Sequence, residues 1–150
     1  MSFIRFLLVD DEKDFVETIT RRLRHRGFVA DCVFSGTEAL DRLEKDDSID
    51  VVILDVRMPD PDGITTVQAI KKSHPLVEVI MLTGFATIDS AVEALKFGAF
   101  DYLTKPYDIN KLISKSEQAF ARKKDRESKI CDIRDRKSTR LNSSHVSQSR

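Results

Sequence analysis

Three aspartates at the ends of two apolar runs are the residues of this chain best suited to chemistry. Asp10 and Asp11 follow the run that ends at Val9, and Asp55 follows the run that ends at Leu54. Two carboxylates about 4 Å apart repel each other by roughly 4 kcal/mol at an effective dielectric constant of about 20. A cluster of three therefore favours shifted pKa values or a bound hard cation, and a site with only oxygen ligands suits Mg²⁺.

The elements that must position these acids follow from the apolar patterns. The sequence predicts strands over 4–9, 28–34, 49–54, 77–82 and 100–103. It predicts helices over 14–26, 35–45, 64–73, 87–97 and from 109 to about 120.

Strands that alternate with helices predict a flavodoxin-like α/β fold, a doubly wound five-stranded parallel sheet of order 2-1-3-4-5 with five helices. Ligands bind such a sheet where the strand order reverses, between strands 1 and 3. These are the strands that end in Asp10, Asp11 and Asp55. Lys105, after strand 5, adds a cation that suits phosphoryl chemistry.

The composition predicts one domain with balanced charge. The chain has 150 residues, and 25 Lys and Arg against 25 Asp and Glu give a formal net charge of zero. A chain without net charge has no overall electrostatic attraction for nucleic acid or for an anionic membrane. Cys32 and Cys131 match no metal or redox spacing, and this usage suits a reducing compartment. We therefore expect a cytoplasmic protein without membrane contact and without direct nucleic-acid binding by this segment.

The chain changes character after a domain that we expect to span residues 1–121. Residues 122–134 are mostly charged and predict a solvated helix extension or linker. Residues 135–150 are rich in Ser, Asn and Arg without an apolar period, which predicts a disordered tail. The string from Asp135 to His145 also resembles a translated sequencing-library adapter. We therefore expect the tail after Arg134 to be non-native.

Four short motifs in this chain resemble those of the receiver domains of bacterial two-component response regulators. They are Val9-Asp10-Asp11-Glu12, Asp55-Val56-Arg57-Met58-Pro59 with Asp62-Gly63, Met81-Leu82-Thr83-Gly84, and Asp101-Tyr102-Leu103-Thr104-Lys105-Pro106. Each motif lies at the end of a predicted strand, and the resemblance covers the chain from Phe3 to Ala121. The local texture is similar to that of receivers of nitrogen-regulator type.

The resemblance implies a phosphoacceptor site that depends on Mg²⁺. Asp55 would accept a phosphoryl group from a phosphohistidine on a sensor histidine kinase, because a carboxylate is a competent nucleophile. Asp11 and Asp55 would bind Mg²⁺ directly, with the backbone carbonyl of Arg57 as a further ligand. Asp10 would act mainly through water.

The resemblance also implies a switch. Lys105 would pair with the bound phosphoryl group, and the bond between Lys105 and Pro106 would be cis. The hydroxyl of Thr83 would bind another phosphoryl oxygen, and Tyr102 would swing inward. The surface formed by helix 4, strand 5 and helix 5 would then change its affinity for a second copy or an output partner.

Two positions suggest a slow loss of the phosphoryl group. Arg57 lies two residues after Asp55, and Phe85 lies two residues after Thr83. Both side chains could overhang the phosphoryl group and hinder in-line attack by water. We therefore expect slower self-dephosphorylation than in variants with small residues at these positions.

The residues also allow two rival functions on the same fold. An aspartate-nucleophile phosphatase needs a second acid two residues after the nucleophile, where this chain has Arg57, which stays charged near neutral pH. A flavin-binding module needs a loop rich in hydroxyls and amides after strand 1, where this chain has acids that repel phosphate. We therefore expect a switch with only self-phosphorylation and self-dephosphorylation activity, not a turnover enzyme.

Overall fold

Strands and helices alternate along the chain in the order that the apolar patterns predict. The computed structural model describes residues 3–105 and 107–142, and the side chains of these residues other than Phe85 and residues 131–142. The strands are β1 (Arg5–Val9), β2 (Val29–Val33), β3 (Val51–Asp55), β4 (Glu78–Thr83) and β5 (Asp101–Thr104). The helices are α1 (Lys13–His25), α2 (Gly36–Lys45), α3 (Gly63–Ser73), α4 (Ile88–Lys96) and α5 (Ile109–Asn142).

The strands form one parallel sheet of order β2-β1-β3-β4-β5, which confirms the predicted flavodoxin-like α/β fold. Val9 of β1 pairs with Leu54 of β3, and Asp55 at the end of β3 pairs with Leu82 of β4. Every residue of β3 and β4 is buried, as expected for central strands covered on both faces. Because all strands run the same way, their last residues share one edge, which we call the carboxyl edge.

Buried apolar side chains cover both faces of the sheet. On one face, Leu54 and Met81 belong to a cluster with Val67 of α3 and Ala91 of α4. A second cluster combines strand residues with residues of α1 and α5, including Ile53, Leu23 and Leu112. The residues at the carboxyl edge therefore project from strands that are packed on both faces.

Helix α4 is shorter than the sequence predicts. A single 3₁₀ turn at Phe85–Thr87 precedes it, and the regular helix begins at Ile88. Val92 of this helix is 41% exposed. Ala91 and Ala94 are the residues of α4 that are fully buried, and these small side chains let the helix lie close to its neighbours.

Helix α5 continues without interruption from Ile109 to Asn142. It therefore includes residues 122–134, as the predicted helix extension does, and residues 135–142, for which the sequence predicted no structure. Once a helix is nucleated, each further residue adds a hydrogen bond, so polar residues of moderate helix propensity can prolong it. Residues 143–150 of the predicted tail lie outside the described part of the chain. Within the described ranges, every helix is too short or too polar to cross a bilayer.

Candidate functional site

The three aspartates meet at the carboxyl edge of the sheet. Asp10 and Asp11 follow β1, Asp55 ends β3, and one carboxylate oxygen from each lies within 4.8 Å of the others. Asp10 is 2% exposed and Asp55 is 4% exposed, whereas Asp11 faces solvent. The structure thus brings together the acids whose convergence the strand pattern predicted.

Backbone hydrogen bonds aim the two buried carboxylates. Oδ1 of Asp10 accepts a hydrogen bond of 2.9 Å from the amide of Glu12, and Oδ1 of Asp55 accepts one of 3.4 Å from the amide of Arg57. Oδ2 of Asp10 is buried without a hydrogen-bond partner in the described part of the chain. A buried polar atom in this state is costly unless another group satisfies it.

Lys105 brings the positive charge of the site to the same edge. Its ammonium nitrogen lies 3.5 Å from Oδ1 of Asp55, 3.7 Å from Oδ2 of Asp10 and 3.5 Å from Oε1 of Glu12. The backbone amide of Lys105 donates a hydrogen bond of 2.8 Å to the carbonyl of Thr83, which extends the strand pairing of β4 and β5 by one residue. This pairing fixes the point from which the lysine side chain reaches the acids.

The acids and the lysine change each other's proton affinity. Burial raises the pKa of Asp10 to about 7. The negative charge of Asp55 also raises this pKa, whereas the hydrogen bond from the Glu12 amide and the charge of Lys105 lower it. Burial also raises the pKa of Asp55, although Lys105 opposes this shift. Burial alone would lower the pKa of Lys105, but the carboxylates of Asp55, Asp10 and Glu12 outweigh it and raise the pKa. The cluster is therefore short of positive charge.

This cluster fits a hard divalent cation. Three carboxylates converge and two of them are buried, and Oδ2 of Asp10 has the Lys105 ammonium at 3.7 Å but no hydrogen bond in the described part of the chain. A cation such as Mg²⁺ prefers oxygen ligands and would supply the missing charge, and a water molecule that it holds would supply the hydrogen bond that Oδ2 of Asp10 lacks.

Thr83 and Tyr102, which the sequence assigns to the switch, take different positions. The hydroxyl oxygen of Thr83 is buried, lies 2.5 Å from that of Thr87 and donates a hydrogen bond of 3.0 Å to the carbonyl of Gly84. Tyr102 is half-buried and packs against the core cluster that contains Ala91 of α4. The Thr83 hydroxyl must therefore leave its present partners before it can bind a group at Asp55.

A cleft of about 360 Å³ opens above the acids. Its lining residues are Asp11, Glu12, Asp55, Arg57, Gly84, Ala86, Thr87 and Lys105. Sequence reasoning missed the ion pair of Glu12 and the hydroxyl of Thr87. The position of Glu12 directly after two site acids was a usable signal, whereas nothing in the sequence pattern marked Thr87.

Two sequence-based expectations fall on residues that are not described. Pro106 lies outside the described residues, and so does the predicted cis bond between Lys105 and Pro106. A cis bond is found between Asp60 and Pro61 in the loop after β3. The side chain of Phe85 is likewise outside the described part, so its predicted position over the site stays a prediction.

Comparison with known proteins decides the family. Residues 6–117 match the sequence profile of the family described as "Response regulator receiver domain", which covers well over half of the chain. The chain belongs to this family. Receiver domains of response regulators are the phosphorylation-dependent switches of two-component systems rather than turnover enzymes, and they bind Mg²⁺ at an acidic pocket.

Relatives of this receiver include response regulators of nitrogen-regulator type. This chain is 38% identical over 118 residues to the transcriptional regulatory protein ZraR of Salmonella typhimurium. The match covers 79% of this chain and 26% of ZraR. The receiver domain of NtrX from Brucella abortus superposes with a TM-score of 0.72 at 31% identity, covering 77% of this chain and 98% of that one.

A solved receiver domain from Clostridium thermocellum is similar over the same region. It has a TM-score of 0.78 and 37% identity, and the match covers 81% of this receiver and 98% of that chain. By contrast, this chain spans about a quarter of the length of the curated relatives it matches. The comparisons therefore concern the receiver and not the remainder of those longer proteins.

Proposed function

We propose that this receiver accepts a phosphoryl group on Asp55 from a sensor histidine kinase. The observation that carries the proposal is the position of Asp55. This buried carboxylate lines an open cleft, with oxygens of two further aspartates within 4.8 Å and the ammonium of Lys105 at 3.5 Å. An oxygen of Asp55 forms a bond to phosphorus while the phosphorus–nitrogen bond of the kinase phosphohistidine breaks. The product is an acyl phosphate on Asp55, and the histidine ring retains the electron pair of the broken bond.

Asp10, Asp11, Asp55 and the backbone carbonyl of Arg57 are the groups that we assign to Mg²⁺. Held by these groups, Mg²⁺ would offset the negative charge of the acids and of the phosphoryl oxygens. Asp10 contributes a buried oxygen that has no hydrogen-bond partner in the described residues, and Asp11 contributes an oxygen from the solvent side. Asp10 acts mainly through water in this proposal.

Lys105 and Thr83 hold the phosphoryl group once it is on Asp55. The ammonium of Lys105 is already 3.5 Å from the accepting carboxylate, so it exchanges a carboxylate oxygen for a phosphoryl oxygen with little movement. The hydroxyl of Thr83 exchanges Thr87 and the Gly84 carbonyl for another phosphoryl oxygen. These exchanges order the loop after β4 around the new charge.

The switch follows from that new charge. Phosphorylation adds about 1.5 to 2 negative charges near neutral pH. Movement of Thr83 releases space beside the loop after β4, and Tyr102 swings inward. The surface of α4, β5 and α5 changes as a result, and a second copy or an output partner of the signalling pathway binds there. Besides this switching, the receiver catalyses only its own phosphorylation and dephosphorylation, and the cytoplasmic location stays a prediction.

Chemical mapping of the phosphorylated residue tests this proposal. Phosphoramidate carries a phosphorus–nitrogen bond like that of phosphohistidine and serves as the donor, with Mg²⁺ present. Borohydride then reduces the acyl phosphate to an alcohol, which converts an aspartate into homoserine. We expect homoserine at position 55 and nowhere else, and none when EDTA replaces Mg²⁺. Conversion at another aspartate, or at none, would overturn the proposal.

A further inference from the structure

Lys105 has a neighbour that carries no charge. Its ammonium nitrogen lies 4.5 Å from the centroid of the Phe15 ring. Its three carboxylate neighbours are 3.5 to 3.7 Å away, longer than a charge-assisted hydrogen bond of about 2.7–2.9 Å. Because these contacts are loose, the acids attract the ammonium without fixing its direction.

Phe15 is itself held in place from two sides. It lies in the first turns of α1, is half-buried and packs against the core cluster beneath α1 and α5. Its ring makes a T-shaped contact with the ring of Tyr107, with a centroid distance of 5.9 Å and an interplanar angle of 88°. Tyr107 follows Lys105 by two residues, so the aromatic pair joins α1 to the loop that carries the lysine. The position of the ring beside the ammonium is therefore supported by packing against the core and against Tyr107.

We propose that Phe15 is a positioning residue that keeps the Lys105 ammonium directed at the phosphoryl group. The proposal rests on the phosphoacceptor function proposed above. The face of an aromatic ring attracts a cation within about 6 Å of its centroid. Unlike a further carboxylate, the ring attracts the lysine without repelling the incoming phosphoryl oxygens.

An uncharged contact for Lys105 matters because the same carboxylates attract this lysine and would bind Mg²⁺. Asp10 and Asp55 are neighbours of Lys105 and are also the groups assigned to Mg²⁺. When these carboxylates turn toward a metal ion, the lysine loses part of their attraction. The Phe15 ring is not a metal ligand, so its attraction for the ammonium remains and keeps the ammonium within reach of Asp55.

Two substitutions separate the ring face from the apolar bulk of the side chain. Phe15→Leu keeps an apolar side chain but removes the ring, whereas Phe15→Tyr keeps the ring. At saturating Mg²⁺, we expect Phe15→Leu to lower the rate of phosphorylation by acetyl phosphate and the affinity for beryllofluoride by about two- to five-fold. Phe15→Tyr should stay near the wild type, and urea unfolding should show that both variants are folded.

A double-mutant cycle with Lys105→Ala tests whether the ring acts through the lysine. If it does, Phe15→Leu has no further effect on either quantity once Lys105 is absent. Equal losses in the Lys105→Ala background, or no loss in the wild-type background, would overturn the positioning role. Failure of the phosphoacceptor function has a different result, because the wild-type protein would then take up no phosphoryl group at all.

Discussion

The ammonium of Lys123 lies 2.5 Å from Oδ1 of Asp50, and both side chains are less than a tenth exposed. One residue earlier, Nε of Arg122 donates a hydrogen bond of 2.6 Å to the fully buried carboxylate of Glu78. Asp50 directly precedes β3 and Glu78 begins β4, so both pairs lie at the edge of the sheet opposite the cleft. The start of the α5 extension is thereby tied to the two strands that end in Asp55 and Thr83.

Removing the lysine of the buried pair should destabilise the fold strongly. Lys123→Met leaves the buried carboxylate of Asp50 without its cation, and breaking such a pair costs about 3–5 kcal/mol. Urea unfolding of the metal-free protein measures the free energy of unfolding. Lys129→Met is the matched control on the same helix, because Lys129 is 72% exposed and its pair with Asp125 contributes about 0.5 kcal/mol or less. Similar losses in the two variants would contradict the buried pair.

Shortening the chain tests the extension as a whole. A chain that ends at residue 121 lacks Lys123, which pairs with Asp50, and Arg122, which pairs with Glu78, and among the described residues it leaves only Lys71 beside Glu78, at 3.7 Å. A chain that ends at residue 130 keeps all of these cations. We expect the first chain to be less stable than the second by more than Lys123→Met alone, because two buried carboxylates lose partners. Thermal and urea unfolding of the two chains measures this difference, and equal stability would show that the extension is dispensable.

The fold could be predicted from the sequence because its signals are local. Apolar runs, helical spacing and strand ends place Asp10, Asp55 and Lys105 at one edge without knowledge of any long-range contact. The contacts of Arg122 and Lys123 could not be predicted in this way. Their acid partners lie 44 and 73 positions away, and a charged helical segment has the same pattern whether it faces water or buried acids.

Two side-chain contacts of the site also could not be predicted from the sequence. The approach of Phe15 to Lys105 depends on how α1 packs against the loop after β5, and apolar spacing gives only the inward face of α1. The contact between Thr83 and Thr87 depends on the 3₁₀ turn that separates β4 from α4. The pattern predicted a regular helix from residue 87, so the turn and its hydroxyl pair were missed.

The pH dependence of stability reports on Asp10. Its pKa is about 7 in the folded protein against 3.8 for a free side chain, so the folded state holds this proton more tightly than the unfolded chain does. The unfolded chain loses this proton at a lower pH than the folded protein does. The stability of the metal-free fold therefore falls as the pH rises from 3.8 to about 7, and the full contribution is present only below 3.8. Asp10→Asn removes the titration.

In EDTA, we expect Asp10→Asn to gain stability over the wild type as the pH rises from about 4 to about 7, by up to about 1.4 kcal/mol per pH unit, and the gap to level off above about 7. Urea midpoints at three pH values measure this gap. Excess Mg²⁺ should then stabilise the wild type more than the variant. A gap that stays constant with pH would show that Asp10 is ionised throughout.

Arg57 should prolong the life of the phosphorylated state. It lines the cleft two residues after Asp55, and its side chain is exposed and free to cover the phosphoryl group. We expect Arg57→Ala to shorten the acyl-phosphate lifetime, because water then has a clearer in-line approach to phosphorus. The decay of acid-labile phosphate after removal of the donor measures the lifetime. An unchanged or longer lifetime in the variant would contradict this role.

The intact mass of the protein after incubation with acetyl phosphate and Mg²⁺ tests the central claim most directly. The wild type should gain the mass of one phosphoryl group, lose it again with time, and gain none when EDTA is present. Asp55→Ala should gain no mass under any of these conditions while remaining folded. Equal gains in the wild type and in Asp55→Ala, or no gain in the wild type, would contradict the assignment of Asp55 as the phosphoacceptor.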